Sequence, residues 1–344
     1  MNYVKELIEK GNLGFHGAEK FTKALLRKQI DPAHAGGVLS ILAYKGEDGQ
    51  EIAGAVKAIL ASAPFNGVLA PSFNVILDCC GTGGSGTYKL NISSAVAVVC
   101  AFFGVYVAKH GNRSASGKVG SADIFEALGW PLHITTEAAY LCMYEKKFCF
   151  LFAPEVFFAM KNAAPVRKAL GIRTIFNLAG PLCNPMSANV HLLGVAKKED
   201  MKRIANSLDY LPSRKLLLVH SEDGFDEISP LKPTYAMLTD GRHMHEEFVI
   251  DPKEFGIKEF DVEEIIGKDL EYNVSKIREL FEGKGSYGFK TAVAINSAYA
   301  LYISDVYDDQ KAAFSDVMDV LETGKLARFW EEVLKVIEEY KDVR

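Results

Sequence analysis

Over the first ~65 positions apolar residues recur at helical spacing and nowhere alternate as in a strand, so this stretch predicts short helices. Asp31-Pro32 is a helix start, an aspartate cap followed by proline in the first turn. Gly46 to Gly49 interrupts the chain, and an apolar-periodic helix resumes over Glu51 to Ala61. The texture then changes. Asn74 to Cys80, Val105 to His110 and Phe148 to Phe152 are short apolar runs, the first two ending in polar, glycine-containing loops. Helical segments follow from Ser93, from about Ser121 and over Val156 to Leu170. Strand, loop and helix in repetition predict an α/β domain with a mostly parallel central sheet flanked by helices. Ligands on such sheets sit at the carboxyl ends of the strands, where both polar loops fall.

Beyond Asn184-Pro185 the pattern predicts a helix near Glu199 to Leu208, a strand over Lys215 to His220 and hairpin-like strands over Thr234 to Ile250 around Asp240-Gly241. Helices close the chain at Val274 to Phe281, Lys290 to Ser304, Asp308 to Glu322 and Leu326 to Tyr340. The expected fold class is therefore α/β, with a small all-helical domain over 1–67 and a large α/β domain over 68–344.

Composition changes this picture little. The length of 344 residues suits two domains, and 49% hydrophobic with 24% charged residues is ordinary for a globular chain. A net charge of -5 carries no basic field for nucleic acid. Met1 to Gly14 has no apolar leader core, and the apolar run Ala95 to Val107 is broken by Gly104 and too short to span a bilayer, so the cytoplasm is expected. Cys79, Cys80, Cys100, Cys142, Cys149 and Cys183 form no CxxC pair and read as buried free thiols. His243-Met244-His245, beside Asp240-Gly241, reads as strand surface rather than a metal site.

Four segments carry candidate chemistry. Gly81-Thr82-Gly83-Gly84-Ser85-Gly86-Thr87 follows a strand directly, and its glycines allow backbone N–H groups to converge on an anion, aided by the helix start near Ser93. A tight surface turn fits the same residues. Lys109-His110-Gly111-Asn112-Arg113-Ser114 packs two cations, an amide and a hydroxyl after a strand, a density suited to a phosphorylated ligand. Asp223-Gly224-Phe225-Asp226-Glu227 is either a magnesium site or a solvated acidic turn. Arg173 to Pro185, RTIFNLAGPLCNP, reads as a structural turn with no chemistry of its own.

Together these segments resemble the anthranilate phosphoribosyltransferase family, in order and spacing. The family pattern of GTGGD, N-I-S-T, KHGNR, G-S-A-D, R-T-x-F-N-x-x-G-P-x-x-N-P and D-G-x-D-E is met by GTGGS, Asn91-Ile92-Ser93-Ser94, KHGNR, Gly120-Ser121-Ala122-Asp123, RTIFNLAGPLCNP and DGFDE. The resemblance implies transfer of a phosphoribosyl group from phosphoribosyl pyrophosphate (PRPP) to the anthranilate amine, a step of tryptophan biosynthesis. It also implies a homodimer formed through a helical domain that takes in part of 154–185. Gly81, Thr82, Gly83, Gly84, Ser85, Asn91, Ser93, Lys109, Asn112, Arg113, Ser114 and Ser121 would bind PRPP. Gly81, His110, Asn112 and Arg167 would face anthranilate, with Arg167 pairing its carboxylate. Ser93, Asp226 and Glu227 would hold magnesium, expected as two ions. Lys109, Arg113 and the metal would stabilise charge on the leaving group, with no obligatory general base.

The chain departs from the family at several places. Ser85 replaces an aspartate, and Lys89 stands where a small hydroxyl residue is usual, which predicts altered magnesium or PRPP dependence; equal PRPP kinetics in Ser85→Asp would remove that expectation. Phe157-Phe158 replaces a His-Pro pair of the acceptor path, and Gly117 and Val119 replace hydroxyl residues. These changes leave open another aromatic or heterocyclic acceptor with the same donor chemistry. A pyrimidine nucleoside phosphorylase of the same fold would carry a lysine-serine segment in place of KHGNR. A non-catalytic regulatory or nucleic-acid-binding relative would not need Lys109, Arg113, Asp226 and Glu227.

Overall fold

The computed structural model describes residues 2–63, 73–83, 86, 88–113, 119–240 and 245–342. The N-terminal helices are α1 (Tyr3–Lys10), α2 (Gly14–Leu26), α3 (Pro32–Lys45) and α4 (Gly49–Leu60). Asp31 caps α3, accepting from Ala33 N and His34 N, as its place before proline predicts. Asp48 and Glu51 close a reciprocal capping box at α4. The buried Glu51 also accepts from Lys45 and from Leu13 N, tying three helical segments to one carboxylate.

Among the described residues seven strands form one sheet: β1 (Leu77–Gly81), β2 (Val107–Gly111), β3 (Phe148–Phe152), β4 (Val190–Gly194), β5 (Lys215–Ser221), β6 (Thr234–Thr239) and β7 (His245–Ile250). Their order is β3-β2-β1-β4-β5-β6-β7. The first five run parallel, and β6 and β7 add an antiparallel edge. From β1 the chain winds outward through α5 (Ile92–Phe102) to β2 and β3, then returns to place β4 on the other side of β1. That reversal opens a crevice at the carboxyl ends of β1 and β4. Helix α6 (Ser121–Ala127) starts just beyond β2. The helix Tyr287–Ile303, buried along nearly its whole length, packs across α5, β4 and β5.

Most predicted elements are present to within a few residues, and three differences are instructive. Strand β4 carries no prediction, because its five residues VHLLG are interrupted by a histidine and bounded by Asn189; yet all five are buried at the centre of the sheet. The helix expected over Val156 to Leu170 is broken into Ala153–Val156, a tight turn Phe158–Asn162 and Ala164–Leu170, with Pro165 in the first turn of the last piece. Hairpin strands β6 and β7 are found, while Gly241 and His243-Met244 lie outside the described residues and His245 is exposed on β7. Five cysteines are buried and Cys80 is half-buried, and all six are free. Among the described residues no helix is long and apolar enough to cross a membrane.

Candidate active site

Three loops meet at the carboxyl ends of β1, β2 and β5. The loop after β1 is pinned by Thr82, whose N–H donates to Gly194 O at 2.9 Å and whose Oγ1 accepts from Ala196 N at 3.0 Å. Arg173 donates to Gly83 O, so the segment read as a structural turn holds the glycine loop from the far side. The acidic loop after β5 passes directly over the ends of β1 and β4. A Cβ at Gly194 would lie 1.6 Å from Asp226 O, so that position requires glycine for this approach, and one at Gly81 would lie 3.0 Å from Asp226 Oδ2, a tight contact to which the side chain would have to yield. The loop is clamped from below by Asn296, which accepts from Ile228 N at 3.0 Å and donates to Ile228 O at 2.8 Å. Asp223 serves the turn itself, accepting from Ser229 Oγ at 2.6 Å.

Ser93, Lys109 and the adjacent pair Asp226 and Glu227 come together here from three separate segments. Lys109 is 2% exposed; its ammonium donates to Cys79 O and lies 3.3 Å from Ser93 Oγ. Ser93 N donates to Glu227 Oε1 at 3.3 Å. Lys89 joins them, with its ammonium on Asp226 Oδ1 and 2.9 Å from Glu227 Oε2. Burial works against the Lys89 charge, but Glu227 and Asp226 outweigh it and hold its pKa above the ordinary lysine value. Burial raises the Glu227 carboxyl, only partly opposed by Lys89.

A second group lies within the sheet. His110 Nδ1 faces Asp78 Oδ2 at 2.5 Å, and Nε2 faces Gly180 O at 3.2 Å. Asn184 donates to the same Asp78 oxygen at 2.8 Å and to Ala108 O at 2.7 Å. Both ring nitrogens of His110 thus face acceptors, an arrangement that only the imidazolium satisfies with two donors. Burial alone would lower the His110 pKa; the buried Asp78 carboxylate reverses this and raises it. His191, the cross-strand neighbour of Asp78, is pushed down to about 4 by burial and stays neutral.

The remaining candidates are more dispersed. Asn91 caps nothing by its side chain but bonds Val119 O and Asn273 Nδ2, each at 3.2 Å. Asn112 is exposed and turns its Oδ1 to Arg113 N at 2.7 Å. Arg113, expected to face a phosphate, pairs instead with Asp123 and Glu126 on α6, each at 2.7 Å. Ser121 opens α6 against Gly111. Arg167 is half-buried over the Phe176 ring at 5.3 Å and has no ion-pair partner among the described residues; burial lowers its pKa. Phe157 is 4% exposed and belongs to the core, whereas Phe158 is 58% exposed. Gly84, Ser85, Ser114 and Gly117 lie outside the described residues.

Sequence reasoning gave no role to Asp78, Asn184 or Asn296 and did not foresee which carboxylates Lys89 engages. Asp78 stands inside an apolar strand and its partners are far along the chain, so only a charged residue in NVILDCC hinted at it. Hard oxygen donors from Ser93, Asp226 and Glu227 suit magnesium, which favours one or two carboxylates.

Against known proteins, the profile described as "Glycosyl transferase family, a/b domain" matches residues 74–327, and "Glycosyl transferase family, helical bundle domain" matches residues 1–63. An anthranilate phosphoribosyltransferase of Colwellia psychrerythraea is 39% identical over 93% of this chain and 87% of its own length. The crystal structure of the anthranilate phosphoribosyltransferase from Thermus thermophilus superposes with a TM-score of 0.89 at 33% identity, over 98% of this chain and all of that one. The Saccharomyces cerevisiae enzyme, solved in complex with PRPP and Mg, shares the fold at a TM-score of 0.86 and 23% identity, over 98% and 97% of the two chains.

Proposed function

The chain belongs to the anthranilate phosphoribosyltransferase family, and we propose that it carries out that family's reaction with the residues of this crevice in the following roles. It transfers the 5-phosphoribosyl group from PRPP to the amine of anthranilate, releasing pyrophosphate. The observation that carries the assignment of roles is the convergence of Lys109, Ser93, Asp226 and Glu227 at the ends of β1, β2 and β5.

The glycine loop Gly81, Thr82, Gly83, Gly84 and Ser85 cradles PRPP with backbone N–H groups other than that of Thr82, which Gly194 O already holds, and Asn91, Asn112, Ser114 and Ser121 add polar contacts. Lys109 contributes a buried ammonium whose partners here, a carbonyl and a hydroxyl, are neutral. That leaves its full charge for the pyrophosphate as the glycosidic bond loosens. Arg113 reaches the same anion by exchanging Asp123 and Glu126 for phosphate oxygens, a swap between charge-assisted bonds of similar strength. Magnesium, when bound, neutralises charge on the leaving group. Ser93 would hold it from one side, and Asp226 and Glu227 form a second cation position.

On the acceptor side Arg167, a half-buried cation without a counter-ion, pairs the anthranilate carboxylate. His110, held through Nδ1 to Asp78 and through Nε2 to Gly180 O, presents its ring to that side in a fixed orientation. The aniline nitrogen is neutral and attacks without prior deprotonation, so the protein's task is positioning. Part of 154–185 completes the helical domain of 1–67; Asn162 Nδ2 donating to Leu26 O at 2.7 Å supports this division. The helical domain also forms the homodimer contact, consistent with Ile8 at 72% and Tyr44 at 93% exposure, and the enzyme works in the cytoplasm.

The test is to mix protein, magnesium, PRPP and anthranilate and follow loss of anthranilate fluorescence, with an Asp226→Ala/Glu227→Ala control. Signal loss in the wild type alone supports the assignment. A silent wild type that still binds PRPP moves the acceptor assignment elsewhere, and absence of PRPP binding removes the reading altogether.

A further inference from the structure

Lys89 is the departure from the family pattern that the structure turns into a contact. Its backbone is fixed before its side chain is considered. Lys89 bridges Ile266 in antiparallel fashion, Leu90 N donates to Ile265 O at 2.9 Å, and Gly267 N donates to Tyr88 O at 3.0 Å. The side chain is 11% exposed, and its ammonium lies 5.1 Å from the centre of the Phe225 ring. The ammonium therefore reaches Asp226 and Glu227 from a rigid base, over a distance the four-carbon stem spans with little freedom left. Magnesium binds carboxylate oxygens at roughly 2.0–2.1 Å. An ion bridging Asp226 Oδ1 and Glu227 Oε2 would need the space the ammonium now fills.

We propose that Lys89 is the resident cation of the Asp226–Glu227 position, one fixed positive charge standing where an exchangeable divalent ion would otherwise bind. The inference rests on the reading of these carboxylates as a cation position. It makes the chain dependent on the divalent ion that accompanies PRPP beside Ser93, and largely independent of a second one.

The discriminating experiment counts Mn²⁺ by electron paramagnetic resonance, on the full-length protein with and without PRPP. Wild type is compared with Lys89→Met, which keeps the stem, and Lys89→Ser, which restores a small hydroxyl residue. Both variants should gain one Mn²⁺ in the absence of PRPP, bound at least about tenfold tighter than anything in the wild type. Adding Asp226→Asn to Lys89→Met should erase the gain. Equal Mn²⁺ number and affinity in wild type and both variants overturns the proposal. Failure of all three proteins to bind Mn²⁺ even with PRPP present overturns the cation-position reading itself, and the proposal with it. Should removing Lys89 destabilise the fold, a melting temperature recovered by Mn²⁺ in the variants supports the inference, and one that Mn²⁺ leaves unmoved counts against it.

Discussion

Asp78 and His110 face each other inside the sheet, with the carboxylate wholly buried and the imidazole 9% exposed. Beyond the strand ends Lys89 faces Asp226 and Glu227, each side chain 11–13% exposed. Both are ion pairs at hydrogen-bonding distance, but they are closed in different ways. Asp78 is surrounded by Asn184, His110 and His191, all from the sheet and the segment packed on it, and none of these can be exchanged for a ligand. The outer cluster draws Lys89, Ser93 and the Asp226-Glu227 loop from separate segments and opens to the crevice. The inner pair is closed by protein groups and raises the pKa of His110, whereas the outer cluster lies at the crevice, where Ser93 and Lys109 can meet an incoming polyanion and its metal. The same chemistry thus serves structure in one place and turnover in the other.

The largest effect should come from emptying the open cluster. In Asp226→Ala/Glu227→Ala we expect kcat to fall about a thousandfold, ~4 kcal/mol at the transition state, with a smaller loss of folding stability from leaving the Lys89 ammonium without its counter-charges. A drop in stability as large as the drop in rate would erase the contrast between the two clusters. Asp78→Asn should do the reverse, costing about 3 kcal/mol of folding stability in urea unfolding, because a buried cation loses its counter-charge. Asn296→Ala sits between the two: losing both bonds to Ile228 should cost about 2 kcal/mol and also lower kcat by loosening the acidic loop. Arg167→Ala should raise KM for anthranilate roughly tenfold, ~1.4 kcal/mol, while KM for PRPP is unchanged.

The smallest effect is the pH dependence of the sealed pair. His110 titrates above the usual 6.5 in the fold, so its stabilisation is complete below pH 6.5 and is lost as pH rises through the raised value. His191 has the opposite sign: held neutral with a pKa of about 4, it favours the fold above pH 6.5 and loses that contribution as pH falls toward 4. Urea midpoints measured across this range should decline on the alkaline side in wild type and flatten there in Asp78→Asn. An unchanged alkaline limb would falsify the charged state assigned to His110.

Much of the open cluster was legible in the chain, and almost none of the sealed one. Glycines after a strand, KHGNR after a strand and DGFDE after a strand all point to strand ends, where parallel sheets hold ligands. What the sequence leaves unread is the pairing of Lys89 with residues far along the chain, since contact across a crevice has no local pattern. Asp78 is hidden because its strand is apolar, and β4 because five residues with a central histidine fall below any periodic signal. The segment RTIFNLAGPLCNP reads as a turn because its function is to supply partners elsewhere: Arg173 to Gly83, Gly180 to His110 and Asn184 to Asp78.

The placement of β4 beside β1 has a consequence for the nascent chain. Strand β1 pairs on one side with β2, which follows closely, and on the other with β4, which leaves the ribosome about 100 residues later, a delay of roughly 5–20 seconds at ordinary rates of synthesis. During that interval a three-stranded β1-β2-β3 intermediate would present the β1 edge, bordered by Leu77, Asp78 and Cys79, without a neighbour. Chains stalled before Val190 should therefore aggregate or occupy chaperones, whereas those extended past the β5 strand should not. Synthesis speed across residues 82–190 would then set how long that edge stays unpaired.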